Sequence, residues 1–234
     1  DITYVLDAAK SISPFLKEGN LVILESTSPV GTTEQVKKIF ESNGVDTNSI
    51  FISYCPERVL PGNILSELIM NNRIVGGLSQ KSTIATSSFY KTFVKGDVVE
   101  TDANTAEMCK LTENSYRDLN IAFANELSII CEKENLDVWK LIKLANLHPR
   151  VDILQPGAGV GGHCIAVDPW FIVDRNPEES RLIKLAREVN LDKTKWVIKK
   201  VKEKASELNN ELKRKPKIAC LGLSFKPNID DLRE

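Results

Sequence analysis

From Asn104 to Glu134 the chain contains neither glycine nor proline. No other feature narrows the possible folds so much. A run of this composition predicts one continuous helix, and about 30 residues at 1.5 Å each reach roughly 45 Å. Its apolar residues, Leu111, Leu119, Ile121, Phe123, Leu127, Ile129 and Ile130, spread around more than one narrow stripe. A helix apolar on much of its circumference needs cover on several sides. The later helices of the chain supply part of that cover, and the equivalent helix of a twofold-related copy is expected to supply the rest, with cover by the flanking α/β domains of the same chain as the alternative.

Ahead of this helix, short apolar runs alternate with helical patterns. "DAAKSISPFLKEG" reads as a helix ended by Gly19, and "NLVILEST" as a strand over Leu21 to Glu25. "SPVGTTEQVKKIFESNG" reads as a turn and a helix, with Thr32 or Thr33 as N-cap and Gly44 as the stop. "SIFISYCPE", "NRIVGGLS" and "GDVVETD" are three further strands, with a helix near Lys81 to Phe93. This alternation predicts an α/β domain with a parallel sheet over residues 1–102. Residues 103–214 form a helical middle: the long helix, then "DVWKLIKLAN", a glycine-rich loop, and one or two helices up to "ELKRK". "PKIACLGLSF" restarts a strand, so residues 215–234 are expected to begin a second α/β domain. With no initiator Met and a fresh strand near its end, the chain reads as a segment of a longer protein.

The totals exclude several classes. The 234 residues are 42% hydrophobic, enough for a sizeable core. Thirty-one basic and 32 acidic residues give a net charge of -1, which supplies no electrostatic reason to expect a nucleic acid or membrane partner. Five cysteines (Cys55, Cys109, Cys131, Cys164 and Cys220) stand at irregular spacing with no C-x-x-C, which argues against zinc or a disulfide framework. A reduced, cytoplasmic protein with mostly buried thiols is expected, and no signal peptide or long apolar run appears.

"QPGAGVGGHCIAVDPW" holds a G-x-G-x-x-G at Gly157, Gly159 and Gly162. A dinucleotide-binding turn needs a strand directly before its glycines and a helix directly after. Here Pro156 precedes them, His163 and Cys164 follow, and Pro169 disfavours helix at the residue before it. A plain flexible loop is one reading. The stronger one is a close-approach loop whose glycines bring backbone N–H groups and the Cys164 thiol to an electrophile. The other four cysteines lie in strand or helix patterns and are expected to be buried packing. In "CKLTENSYRDLN", Lys110, Asn114 and Arg117 share one helix face at i, i+4, i+7, and that stripe continues through Ile121 and Ala124. The trio therefore reads as cleft-facing, with a solvated helix face as the alternative.

At this point "ESTSPVGTTEQV", "YCPERVLPGNILSEL", "KLTENSYRDLNIAFANEL", "HPRVDILQPGAGVGGHCIAVDPW" and "LGLSFKPNIDDLRE", taken in order along the chain, resemble the UDP-glucose/GDP-mannose dehydrogenase family. The resemblance implies the C-terminal part of a Rossmann-like parallel sheet, a helical central dimerisation domain and the start of a nucleotide-sugar-binding α/β domain. It implies NAD-dependent, four-electron oxidation of a nucleotide sugar at C6, with UDP-N-acetyl-D-mannosamine favoured by "CPERVLPG" and "HPRV…GGHCIAVDPWF" and UDP-glucose or GDP-mannose as the alternative. By the same resemblance Cys164 is the nucleophile, Lys110 stabilises oxyanions, Asn114 and Asp168 hold substrate oxygen or water, and Glu57 assists thioester hydrolysis. Arg58, Val59, Arg117, His148, Arg150 and Gly161 would line the nucleotide-sugar site, joined by Phe225 and Lys226. Thr27 and Arg233 would lie on the cofactor side. The resemblance also implies a homodimer built on the long helix, in which Arg150 reaches the partner's site. The family's first Rossmann half, which carries its true G-x-G-x-x-G, does not occur in this sequence, which weighs against NAD binding by this chain alone. A non-catalytic dimerisation segment is the reading from another class.

Overall fold

The computed structural model describes residues 2–59 and 62–222. It divides into two compact units, Asp1–Glu113 and Asn114–Glu234.

The first unit is an α/β sheet of four strands, β1 (Leu21–Leu24), β2 (Phe51–Tyr54), β3 (Arg73–Gly77) and β4 (Val98–Asp102), in spatial order β1-β2-β3-β4. β1 pairs with β2 and β3 with β4 in parallel, as the alternation predicts. The β2–β3 pair departs from that expectation. It is antiparallel, through Ser53↔Gly77 and Tyr54↔Gly76. Among its described residues the connection holds only a seven-residue helix, α3 (Ile64–Met70), which the sequence pattern did not reveal, and β3 starts beside the end of β2 instead of returning to its beginning. Helices α1 (Thr3–Ile12), α2 (Thr32–Ser42) and α4 (Gln80–Tyr90) and the first part of the helix that begins at Ala103 complete the unit. α1 gives way to a short 3-10 turn over Ser13–Phe15, well before Gly19, because Pro14 cannot continue an α-helix interior.

Phe40, Val36, Ala9, Ile50 and Ile52 form one buried cluster, and Cys55, Val75, Tyr90 and Val94 another. The start of α2 corrects the sequence expectation of a threonine N-cap. Gly31, at φ 88°, occupies the cap position and no cap side chain bonds to the helix. Instead the wholly buried carboxylate of Glu107 accepts the N–H groups of Gly31 (2.5 Å) and Thr33 (2.8 Å) and the Thr33 hydroxyl (2.7 Å). A distant anion thus satisfies donors that a local side chain would ordinarily take. Burial raises the Glu107 carboxyl above its usual range despite those donors.

The unit boundary falls within α5 (Ala103–Lys133), a single helix of 31 residues. The second unit adds α6 (Val138–Ala145), capped by Asp137, then α7 (Asp168–Arg175) and α8 (Arg181–Leu212). The stretch before "ELKRK" is therefore one helix of 32 residues. The sequence pattern does not mark α7, because Pro169 disfavours helix at the residue before it. Proline sits in its first turn, where the missing N–H has no intrahelical partner to lose. The strand expected from Pro216 is absent over its described residues up to Gly222, and Leu221 is 96% exposed. A strand without a ladder partner has nothing to satisfy its backbone.

A buried polar seam runs through this unit. Arg187 donates to Asp118 (2.6 Å), Asn190 donates to the same carboxylate oxygen (2.8 Å), and Asn125 donates to Asn190 (2.9 Å). The Asn125 side-chain oxygen then accepts the backbone N–H of Gly157 at 2.8 Å, fastening the glycine loop to α5 and α8.

Candidate functional site

In the first unit the loops leaving β1 and β2 run side by side, with the Glu57 N–H donating to the Glu25 carbonyl at 3.3 Å. Thr27 lies on the first of these loops, half-buried just past the carboxyl end of β1. Lys110, half-buried on α5, donates from Nζ to the Glu57 carbonyl at 2.8 Å. Glu57 itself is held at both carboxylate oxygens. Oε1 accepts the N–H groups of Arg58 (2.6 Å) and Val59 (2.8 Å), and Oε2 accepts from Arg73 (3.3 Å). Burial pushes this carboxyl up, but the Val59 and Arg58 N–H groups and the Arg73 cation outweigh it and hold Glu57 below the usual glutamate value. Arg58 pairs with Glu113. The structure thus brings Lys110, Glu57, Arg58 and Val59 together.

In the second unit Cys164 lies exposed on the turn that leads into α7. Its carbonyl accepts the N–H groups of Val167 (3.0 Å) and Asp168 (2.8 Å), so the turn is locked onto the helix start. Asp168, 3% exposed, accepts a hydrogen bond from the Asn114 amide at 2.5 Å. The nucleophile candidate thus sits one turn ahead of a buried carboxylate and its half-buried amide partner. The glycines set the approach of the loop. Gly159 has φ 146°, and a Cβ there would lie 2.1 Å from the Thr194 hydroxyl of α8. Residues 151–156 before the glycines are not a strand and a turn follows Gly162, which agrees with rejecting a dinucleotide turn. Gly161 is exposed in this loop.

Arg117 is exposed and shares a cavity of about 310 Å³ with Tyr116, Asn120, Asp152 and Leu154. The inward stripe of α5 is Glu107, Leu111, Asp118, Ala122 and Asn125, one position over from the stripe of Lys110, Asn114 and Arg117. Ile121, expected inside, is half-buried and Ala124 is buried. His148 accepts the Arg150 N–H at 3.3 Å, and both residues are exposed after α6. Phe225, Lys226 and Arg233 lie outside the described residues. A larger cavity, about 450 Å³, is lined by Trp139, Gly157, Lys193 and Trp196 among others and includes none of the predicted site residues.

Cys55 and Cys131 are buried, as expected. Cys109 is only half-buried and Cys220 is exposed, which corrects the expectation of buried packing there. Cys220 stands in the stretch without a strand to cover it. Sequence reasoning missed Arg73, Asp118, Asn125, Asn190 and Arg187. A charged or amide side chain inside a strand or helix pattern carries no local mark of whether it points inward.

Residues 1–94 match the NAD binding domain model of the UDP-glucose/GDP-mannose dehydrogenase family, and residues 104–192 match its central domain model. A UDP-N-acetyl-D-mannosamine dehydrogenase of Campylobacter jejuni is 58% identical over 100% of this chain and 58% of its own length. An NDP-N-acetyl-D-galactosaminuronic acid dehydrogenase of Ralstonia solanacearum is 56% identical over 100% of this chain and 56% of its own length. The solved structure of a UDP-D-ManNAc dehydrogenase from Pyrococcus horikoshii superposes with a TM-score of 0.89 at 39% identity, over 100% of this chain and 56% of that one. The chain therefore spans less than two thirds of the curated relatives it matches.

Proposed function

The chain belongs to the UDP-glucose/GDP-mannose dehydrogenase family, and on that premise we propose that it serves the NAD-dependent oxidation of a UDP-N-acetylhexosamine, UDP-N-acetyl-D-mannosamine first, from the C6 alcohol to the carboxylate. The observation that carries this reading is the exposed Cys164 locked onto the start of α7, one turn from the Asn114–Asp168 pair. NAD supplies the hydride acceptor when bound. Of the described residues, Thr27 at the carboxyl end of β1 suits its approach, where open α/β sheets bind ligands. The N-terminal donors of α2 are already taken by Glu107 and do not suit a pyrophosphate.

The residues divide the work by chemistry. The Cys164 thiolate adds to the C6 aldehyde, giving a thiohemiacetal and, after the second oxidation, a thioester. Lys110 and Asn114 are the donors for the oxyanions, and loss of one such donor typically costs about 2.7–4 kcal/mol of barrier. Asp168, buried and bonded to Asn114, orients that amide and holds water. Glu57, held as an anion, orients the water that releases the acid. Arg58, Val59, Arg117, His148, Arg150 and Gly161 are assigned to the nucleotide sugar.

The test uses the intact protein with UDP-N-acetyl-D-mannosamine and NAD. Two NADH should form for each uronic acid, and Cys164→Ala should form no thioester and no acid. A Cys164→Ala protein that still makes acid at the normal rate rejects the reading. A second reading, the N-acetylgalactosamine isomer as substrate, is favoured by the 56% identical relative of that name. A larger kcat/KM for UDP-N-acetyl-D-galactosamine would select it.

A homodimer through α5 belongs to the same proposal. Tyr116, Phe123 and Ile130 repeat at seven-residue spacing and are 70%, 51% and 49% exposed, which suits a twofold helix–helix seam. Among the described residues no helix is long and apolar enough to cross a membrane.

A further inference from the structure

Arg73 is the largest of the fully buried side chains among the described residues, at 1% exposure. Burying a guanidinium is costly unless it is paired and hydrogen-bonded. Its surroundings show what it is paired with. One amino group donates to Glu57 Oε2 at 3.3 Å and the other to the Leu68 carbonyl at 3.3 Å. The guanidinium carbon lies 5.5 Å from the centre of the Tyr90 ring, whose hydroxyl donates to Glu25. Its Nε has no partner among the described residues.

The pairing with Glu57 follows from strand topology. β2 and β3 are antiparallel with Tyr54 opposite Gly76. Continuing that register for three residues sets Glu57 opposite Arg73. A parallel β3 would have carried its first residue to the far end of β2. The one antiparallel pair of the sheet is thus what brings a cation against this carboxylate. The other carboxylate oxygen is already tied to two backbone N–H groups, so the Arg73 contact removes the remaining rotational freedom.

We propose that Arg73 is the positioning residue for Glu57, fixing its carboxylate for the water that releases the acid from Cys164. This rests on the functional reading above. In that step the water oxygen bonds to the acyl carbon, the carbon–sulfur bond breaks, and sulfur leaves as the thiolate with the electron pair. The two water protons pass to solvent. Glu57 accepts the hydrogen bond that aims the water, and Arg73 touches neither the water nor the acyl group.

The experiment compares the wild-type protein with Arg73→Lys, Glu57→Gln and the pair together, using UDP-N-acetyl-D-mannosamine and NAD. Rapid-quench NADH formation reads the oxidations, and intact-protein mass spectrometry reads acyl-Cys164. Arg73→Lys keeps the charge but loses the fork. It should leave the first burst of NADH near the wild-type rate, slow turnover by about 10–100-fold and accumulate the acyl-enzyme. Adding Arg73→Lys to Glu57→Gln should cause no further slowing, the signature of a residue acting through its partner. Should Arg73→Lys not fold, Arg73→Met with Glu57→Gln removes both charges together, and its hydrolysis should match Glu57→Gln alone. Equal slowing of the burst and of hydrolysis, or effects that multiply in the double variant, would overturn the proposal. A wild-type protein that forms no NADH overturns the functional reading itself, and the proposal with it.

Discussion

Replacing Asp118 with Asn should cost the second unit about 3–5 kcal/mol. Asp118 and Arg187 are 1% and 2% exposed in their side chains and meet at 2.6 Å. Asparagine keeps the shape and loses the charge, leaving the Arg187 cation buried without a counterion. Removing one partner of such a pair carries a penalty of about 3–5 kcal/mol, far more than for a surface pair. One kcal/mol shifts the midpoint of a chain of this size by roughly 2–4 °C, so a fall of roughly 6–20 °C follows. Differential scanning calorimetry reads it directly. The perturbation should also travel. Asn190 bonds to Asp118 and to Asn125, which holds the Gly157 N–H, so hydrogen exchange at Gly157 should quicken. Asp118→Leu with Arg187→Met, which removes both charges, should restore most of the loss. A change below about 1 kcal/mol in Asp118→Asn would refute the claim that the pair is desolvated.

At pH 8 Ellman's reagent should modify Cys164 and Cys220 quickly and spare Cys55 until the chain unfolds, since burial lifts the Cys55 thiol to about 11. Equal rates at Cys55 and Cys164 would contradict its burial. The Glu57 carboxyl is depressed below its ordinary value of 4.5, so the stability it contributes is present above that value and is lost as pH falls through the folded value. The stability gap between wild type and Glu57→Gln, measured by urea titration, should therefore be full at pH 7 and close on the acid side; a gap that widens in acid would reverse the sign of the argument. Phe123→Glu should convert the proposed dimer to monomer in sedimentation equilibrium at micromolar concentration, whereas a wild type that is already monomeric rejects the seam on α5.

Periodicity and composition mark the long helix α5, because an unbroken run without glycine or proline is helical in almost any surroundings. The four strands are legible for another local reason, short runs of strand length alternating with helical patterns. So is the singular setting of Cys164, since glycines at 157, 159, 161 and 162 allow close approach whatever the fold. The roles of Lys110, Asn114 and Glu57 came from resemblance, as helix spacing alone left Lys110 and Asn114 between a cleft and a solvated face. Strand direction depends on where a connection returns, and nothing within "NRIVGG" distinguishes a parallel from an antiparallel neighbour. That direction was settled by the tertiary structure, and with it the meeting of Arg73 and Glu57. The cap on α2 comes from Glu107, more than 70 residues away in sequence, and the tie on Gly157 comes from Asn125. Each of these is a polar group buried only because a distant segment meets it. The cost of burial and the bond that offsets it arise together on folding, so neither leaves a mark on the neighbouring sequence.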